Sequence, residues 1–169
     1  MKDKDGFKLP PPIYYSSSKD SGFTPSVIPL YNFFRVIDEL EEYHFDYVVK
    51  EIIKKFPKNK ENLYVLVFGS SSPGDPALFY KGLSGLLKKW VSFDENLILI
   101  FSWRYINSTT HKQLIEMIKT LVEFFSDRLF VIWSTEDEEV YEKGEDILDF
   151  IKEKKFPIGD FYLLKVKMK

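Results

Sequence analysis

The chain has no cysteine and only two histidines, His44 and His111, among its 169 residues. The first absence excludes disulfides, thiolate nucleophiles and cysteine-ligated zinc or iron–sulfur clusters. The second speaks against a histidine-rich metal centre, and no cofactor is expected. Long apolar runs are lacking as well. A membrane-spanning helix needs about 20 predominantly apolar residues, whereas the apolar runs here, such as Leu97 to Phe101, are strand-sized. Nor is there an excess of one charge. The 24 basic and 26 acidic residues leave a net charge of −2, so no global field points to nucleic acid or an anionic membrane. Met1-Lys2-Asp3-Lys4-Asp5 leads into Gly6 and then prolines rather than an apolar stretch. A cytoplasmic protein is therefore expected, and the glycosylation match Asn107-Ser108-Thr109 is read as chance. A single glutamine beside abundant lysine and glutamate suits a thermophile.

What is present is core material: 44% hydrophobic and 17% aromatic residues, in a length that fits one domain. Residues 1–26 read as an irregular arm, broken by Pro10-Pro11-Pro12, Ser16-Ser17-Ser18, Gly22 and Pro25, with Tyr14, Tyr15 and Phe23 available to pin it. Residues 27–169 read as a single α/β domain. From Leu30 to Phe56 apolar positions recur at helical spacing, between Pro29 and Pro57. The pattern predicts one long amphipathic helix, or two shorter ones meeting near Tyr43. His44 falls between Tyr43 and Phe45 and reads as a packing residue.

The pattern then changes. Leu63 to Phe68, Leu97 to Phe101 and Leu129 to Trp133 are continuous apolar runs, as in strands covered on both faces. Helical patterns separate them: one at 77–90, one capped by Asn107 or Ser108 with its apolar stripe from Leu114 to Phe125, and one from about 137 to 154. Phe161 to Met168 reads as a fourth strand whose Lys165, Lys167 and Lys169 alternate with Val166 and Met168, an edge signature. The expected fold is a three-layer α/β domain: a mostly parallel sheet of about four strands flanked by helices, with an N-terminal helical extension.

Ligands of open α/β sheets bind beyond the carboxyl ends of the strands, which directs attention to loops 69–76, 102–108 and 134–137. The first reads Gly69-Ser70-Ser71-Ser72-Pro73-Gly74-Asp75-Pro76. Its Gly-x4-Gly spacing between a strand and a helix is that of a phosphate-binding loop. On these residues, Tyr64 to Leu83 resembles the first strand, P-loop and helix of RecA- and KaiC-like ATPases, and Phe161 to Lys169 is similar to a late strand of that group. The resemblance implies a decayed ATPase domain partnered with a true ATPase of that group, in DNA recombination or its regulation. The chemistry of hydrolysis is missing: Asp75 stands at the lysine position, Pro76 at the magnesium-binding Ser/Thr position, and two prolines contribute no N–H. Beside it stands a plainer reading, in which Asp75 caps a helix that begins at Pro76.

Two functions follow. The leading one is a non-catalytic accessory protein acting through protein contacts. Its surfaces would be Phe33, Phe34 and Phe45 on the N-terminal helix, where a homodimer is expected, and Glu138, Glu139 and Glu142 on an acidic helix. Residues 136–149 hold eight acids and one lysine, and residues 152–169 hold six lysines against Glu153 and Asp160, so the overall balance conceals adjacent acidic and basic segments. The alternative is a sensor that binds a nucleotide or other anion through Gly69, Ser70, Ser71, Ser72, Gly74, Ser102 and Arg104. An enzyme built on the loop serines with His111 and Asp75 lacks the G-x-S-x-G elbow.

Overall fold

The computed structural model describes residues 24–56, 61–92 and 94–167. Most of the arm read over 1–26, the stop at Pro57, and Met168 and Lys169 lie outside them. The chain runs β1 (Ser26–Leu30), α1 (Phe33–Glu42), α2 (Tyr47–Lys54), β2 (Asn62–Ser71), α3 (Pro76–Trp90), β3 (Asn96–Ile106), α4 (Ser108–Phe125), β4 (Leu129–Thr135), α5 (Glu138–Lys154) and β5 (Asp160–Lys165). A short 3₁₀ turn, Ser126–Arg128, joins α4 to β4.

The strands form one sheet in the order β1-β2-β3-β4-β5. β2 through β5 are parallel, and β1 lies antiparallel on β2. The α/β class with a mostly parallel, helix-flanked sheet is thus as expected, with one strand more than the sequence suggested. β1 reads poorly as a strand because it is short and carries Pro29, which has no N–H for a ladder. An edge strand tolerates that loss, and pairing with β2 makes the segment extended.

Because the spatial order follows the chain order, right-handed crossovers place α3, α4 and α5 on one face of the sheet. There they pack on Leu63, Val65 and Val67 of β2, on Leu97, Leu99, Phe101 and Trp103 of β3, and on Leu129, Val131 and Trp133 of β4. α1 and α2 cover the other face, over Tyr64, Leu66, Ile98, Ile100 and Ile132. This two-sided burial explains why the central strands read as unbroken apolar runs rather than alternating ones.

The N-terminal helical stretch is two helices, the second of the two readings it allowed. α1 ends in a Schellman motif: Phe45 N–H donates to Leu40 O at 2.8 Å and His44 N–H to Glu41 O at 3.2 Å. His44 occupies the left-handed position at φ 58° and is exposed, so it is a turn residue and not the packing residue expected. The same device ends α5, where Lys155 adopts φ 53° and Phe156 N–H reaches Ile151 O at 3.1 Å.

Candidate functional site

The three loops marked for function are shorter than the sequence implied, because the strands run on through polar residues. β2 extends to Ser71, β3 to Ile106 and β4 to Thr135. Ser70 pairs with Tyr105 and Ser71 with Ile106. The partner of Gly69 is Trp103, so Arg104 is an extra residue and forms a bulge there. Gly69 takes φ +106° at this irregularity, a conformation that suits glycine. Polar side chains at strand ends are extended here because each has a neighbouring strand to bond, a fact invisible to local patterning.

Asp75 caps α3, accepting from Leu78 N–H at 3.0 Å with Pro76 in the first turn. The other residues of the proposed anion set are spread over two strands and a turn. Gly69, Ser70 and Ser102 are half-buried in the sheet, Ser71 is fully buried, Ser72 is half-buried, and Gly74 and Arg104 are exposed. Ser102 lies between Phe68 and Ser134 in the ladder. Among the described residues the four parallel strands follow one another in chain order, without the reversal of order that marks a switch point.

What the rim does contain is a set of fixed hydroxyls. The Ser71 hydroxyl meets that of Tyr80 at 2.5 Å, and Thr110 Oγ1 donates to Ser71 O at 3.0 Å. Burial pushes the Tyr80 phenol well above its ordinary range. Ser134 Oγ donates to Phe101 O at 2.7 Å and Thr135 Oγ1 to Trp103 O at 2.8 Å. These four Ser/Thr hydroxyls tie strand ends and helix starts together, and all four residues are buried.

Ser108 and Thr109 differ. They form the exposed first turn of α4, directly after the N-cap Asn107. Asn107 Oδ1 accepts from Thr110 N–H at 2.8 Å and from Thr109 Oγ1 at 3.1 Å. That leaves the Ser108 hydroxyl as the exposed oxygen of this turn outside the capping network. Lys143 Nζ of α5 donates to Ile106 O at 3.1 Å, bringing a cation to the backbone two residues before Ser108. His111, at i+3, shares the Ser108 face of the helix. Its Nε2 lies 4.0 Å from Asp146 Oδ2, and burial holds its pKa below the ordinary value, partly opposed by the Asp146 charge. From sequence alone 107–109 reads as a cap and a chance glycosylation match. The available signal was the hydroxyl run Ser108-Thr109-Thr110, whose members only the fold separates into exposed and buried.

The expected interaction residues are also separated. Phe34 is 76% exposed, Phe33 is half-buried against the sheet, and Phe45 is in the core. Glu138, Glu139 and Glu142 are exposed on α5, and Glu138 pairs with Lys165. The serine–histidine–aspartate arrangement does not assemble: Ser71 bonds Tyr80 and Thr110, Asp75 caps α3, and His111 lies toward Asp146.

A family model described as SiaC family regulatory phosphoprotein matches residues 55–160. No curated protein and no solved structure gives a match. The matched span covers β2 through the start of β5 and includes Tyr64 to Leu83, the P-loop segment likened to RecA- and KaiC-like ATPases, but not Phe161 to Lys169. It corrects that resemblance, which rested on the Gly69–Gly74 spacing: this segment is a strand end and a capped helix start shared with a different family. The chain belongs to the SiaC family of regulatory phosphoproteins.

Proposed function

We propose that the protein is a non-catalytic, phosphorylation-controlled partner switch whose phosphoacceptor is Ser108. The family description supplies the modification and the action through protein contacts. The observation that supports the site is the position of Ser108, exposed at the first residue of α4 behind its N-cap, while Ser71, Thr110, Ser134 and Thr135 are buried and bonded.

The physics of the modification fits this position. A phosphoserine carries about −1.5 to −2 charges at neutral pH. At the first turn of a helix that charge meets the positive end of the helix dipole and N–H groups without intrahelical acceptors. Lys112 follows at i+4 and Lys143 is anchored at Ile106 O. The modified rim gains a dianion at the junction of β3, α4 and α5 without disturbing the buried hydroxyl ties. A partner selected by the neutral rim is released, and one selected by the charged rim is admitted.

The test is phosphopeptide mapping of the protein isolated from its own cells under phosphatase inhibition, together with partner exchange by Ser108→Ala and Ser108→Asp variants. Phosphate on Ser108, and opposite partner preferences of the two variants, are expected. Phosphate confined to another residue such as Ser72 or Ser26 overturns the assignment.

A further inference from the structure

The lysine-bearing last strand, β5, lies apart from Ser108 in the chain and forms one edge of the sheet. β5 pairs with β4 on one side, and among the described residues nothing pairs with its other side. The opposite edge of the sheet is blunted by Pro29 in β1. β5 has no proline and no bulge, and its centre, Phe161-Tyr162-Leu163-Leu164, is uncharged. Such an edge is a template for another strand.

The backbone geometry shows which groups are offered. Val166 N–H donates to Thr135 O at 2.9 Å. The alternation of a parallel ladder then turns the N–H and C=O of Leu164 and Tyr162 toward β4, and those of Phe161, Leu163 and Lys165 outward. The first outward donor is occupied by the chain itself: Phe161 N–H donates to Asp160 Oδ1 at 2.8 Å. Leu163 and Lys165 remain as the pairing positions.

Both sides of this edge are prepared for side chains. Beside β5 and α5 lies a cavity of about 340 Å³ whose apolar wall is Leu148, Ile151, Phe156, Ile158 and Phe161. On the other face Tyr162 and Leu164 are half-buried, and the Phe56 ring stands against Tyr162 at 6.2 Å. An added strand would place alternate side chains into the cavity and onto this aromatic face. Charge selects the occupant: Lys152 and Lys155 line the cavity and Lys167 is exposed just past the strand, while Lys165 is held by Glu138 of α5 and Asp160 is the strand's own acid.

We propose that the outer edge of β5 is a docking edge for an extended segment of a partner protein in which apolar residues alternate and acidic residues flank them. Main-chain bonds to Leu163 and Lys165 give affinity, and the cavity and the lysines give specificity. This site is independent of Ser108 and stands whether or not that residue is the phosphoacceptor.

The experiment pans a display library of short random peptides on the full chain and follows enriched peptides by fluorescence anisotropy and amide hydrogen exchange. Lys165→Pro deletes an outward N–H and leaves the β4 ladder intact, and Lys165→Ala keeps that N–H while removing the charge. A thermal melt checks that each variant is folded. The expected result is enrichment of alternating apolar and acidic peptides that slow exchange at Leu163 and Lys165. Their binding falls at least tenfold in Lys165→Pro (about 1.4 kcal/mol) and only a few-fold in Lys165→Ala. No enrichment, or binding indifferent to Lys165→Pro, overturns the proposal. So does slow exchange of both amides in the free chain, which would mean that the edge is already occupied, and so does a dimer that Lys165→Pro dissolves, which would assign the edge to a second copy.

Discussion

The hydroxyls of Ser71 and Tyr80 meet at 2.5 Å between the end of β2 and the first turns of α3. Tyr80 is 1% exposed, so its phenol has no access to water as a substitute partner. Removing the serine hydroxyl by Ser71→Ala leaves that group buried and unsatisfied, which costs about 1–3 kcal/mol. Thr110→Val is milder, about 1 kcal/mol, because Asn107 N–H still reaches Ser71 O at 3.3 Å. Urea denaturation ranks the two variants, and adding Tyr80→Phe to Ser71→Ala recovers part of the loss. Equal effects in both would show that the contact does not carry the difference.

Asp75 is a helix cap, and its replacement reports on that role alone. Asp75→Ala lowers stability by about 1 kcal/mol, while Asp75→Asn retains most of it. Asp75→Lys, which places a cation at the P-loop position, loses the cap and gains no ATP-dependent rise in Tm. A nucleotide-dependent shift in that variant would reopen the phosphate-loop reading.

Gly144 is buried in α5 against the sheet. A Cβ there would stand 2.6 Å from Trp133 Nε1 and 2.7 Å from Leu163 Cδ1. Trp133 is fully buried and donates through Nε1 to Val140 O at 3.2 Å, so the ring cannot retreat. Gly144→Ala is expected to destabilise by about 1–3 kcal/mol through overpacking, more than the helix propensity of alanine returns. The urea midpoint falls with an unchanged slope, and tryptophan fluorescence shifts in the folded state.

His111 couples the rim to pH. Burial lowers its pKa in the folded chain from the ordinary 6.5, so the unfolded chain binds the proton more readily. Stability contributed here is fully present above the unfolded value and declines as pH falls through the folded value. His111→Gln is expected to flatten the decline in denaturation midpoint below about pH 6.5. An unchanged pH profile in the variant would remove His111 as its source.

Much of the layering was legible in the sequence. Unbroken apolar runs such as Leu97 to Phe101 announced strands buried on both faces, and capping residues marked the helix starts at Asp75 and Asn107, while the cap by Asp137 emerged only in the structure. β1 was not legible, since five residues containing proline become a strand only through a partner. The strand ends were missed for the same reason: Ser70, Ser71, Ser102 and Arg104 look like loop residues until the register is known. The Gly69–Gly74 spacing suggested a phosphate loop because glycine serves a bulge and an anion nest through the same freedom of φ.

The sequence by itself determined the α/β class, the mostly parallel sheet and the absence of thiol chemistry, because periodicity and composition are local properties. Tertiary structure decided the strand order, in which the parallel strands follow one another in chain order among the described residues. It also decided which hydroxyls of a Ser-Thr-Thr run are exposed, and that among the described residues nothing pairs with the outer edge of β5 beside a cavity. Those are relations between segments far apart in the chain, set by which backbone groups find partners and which side chains are covered.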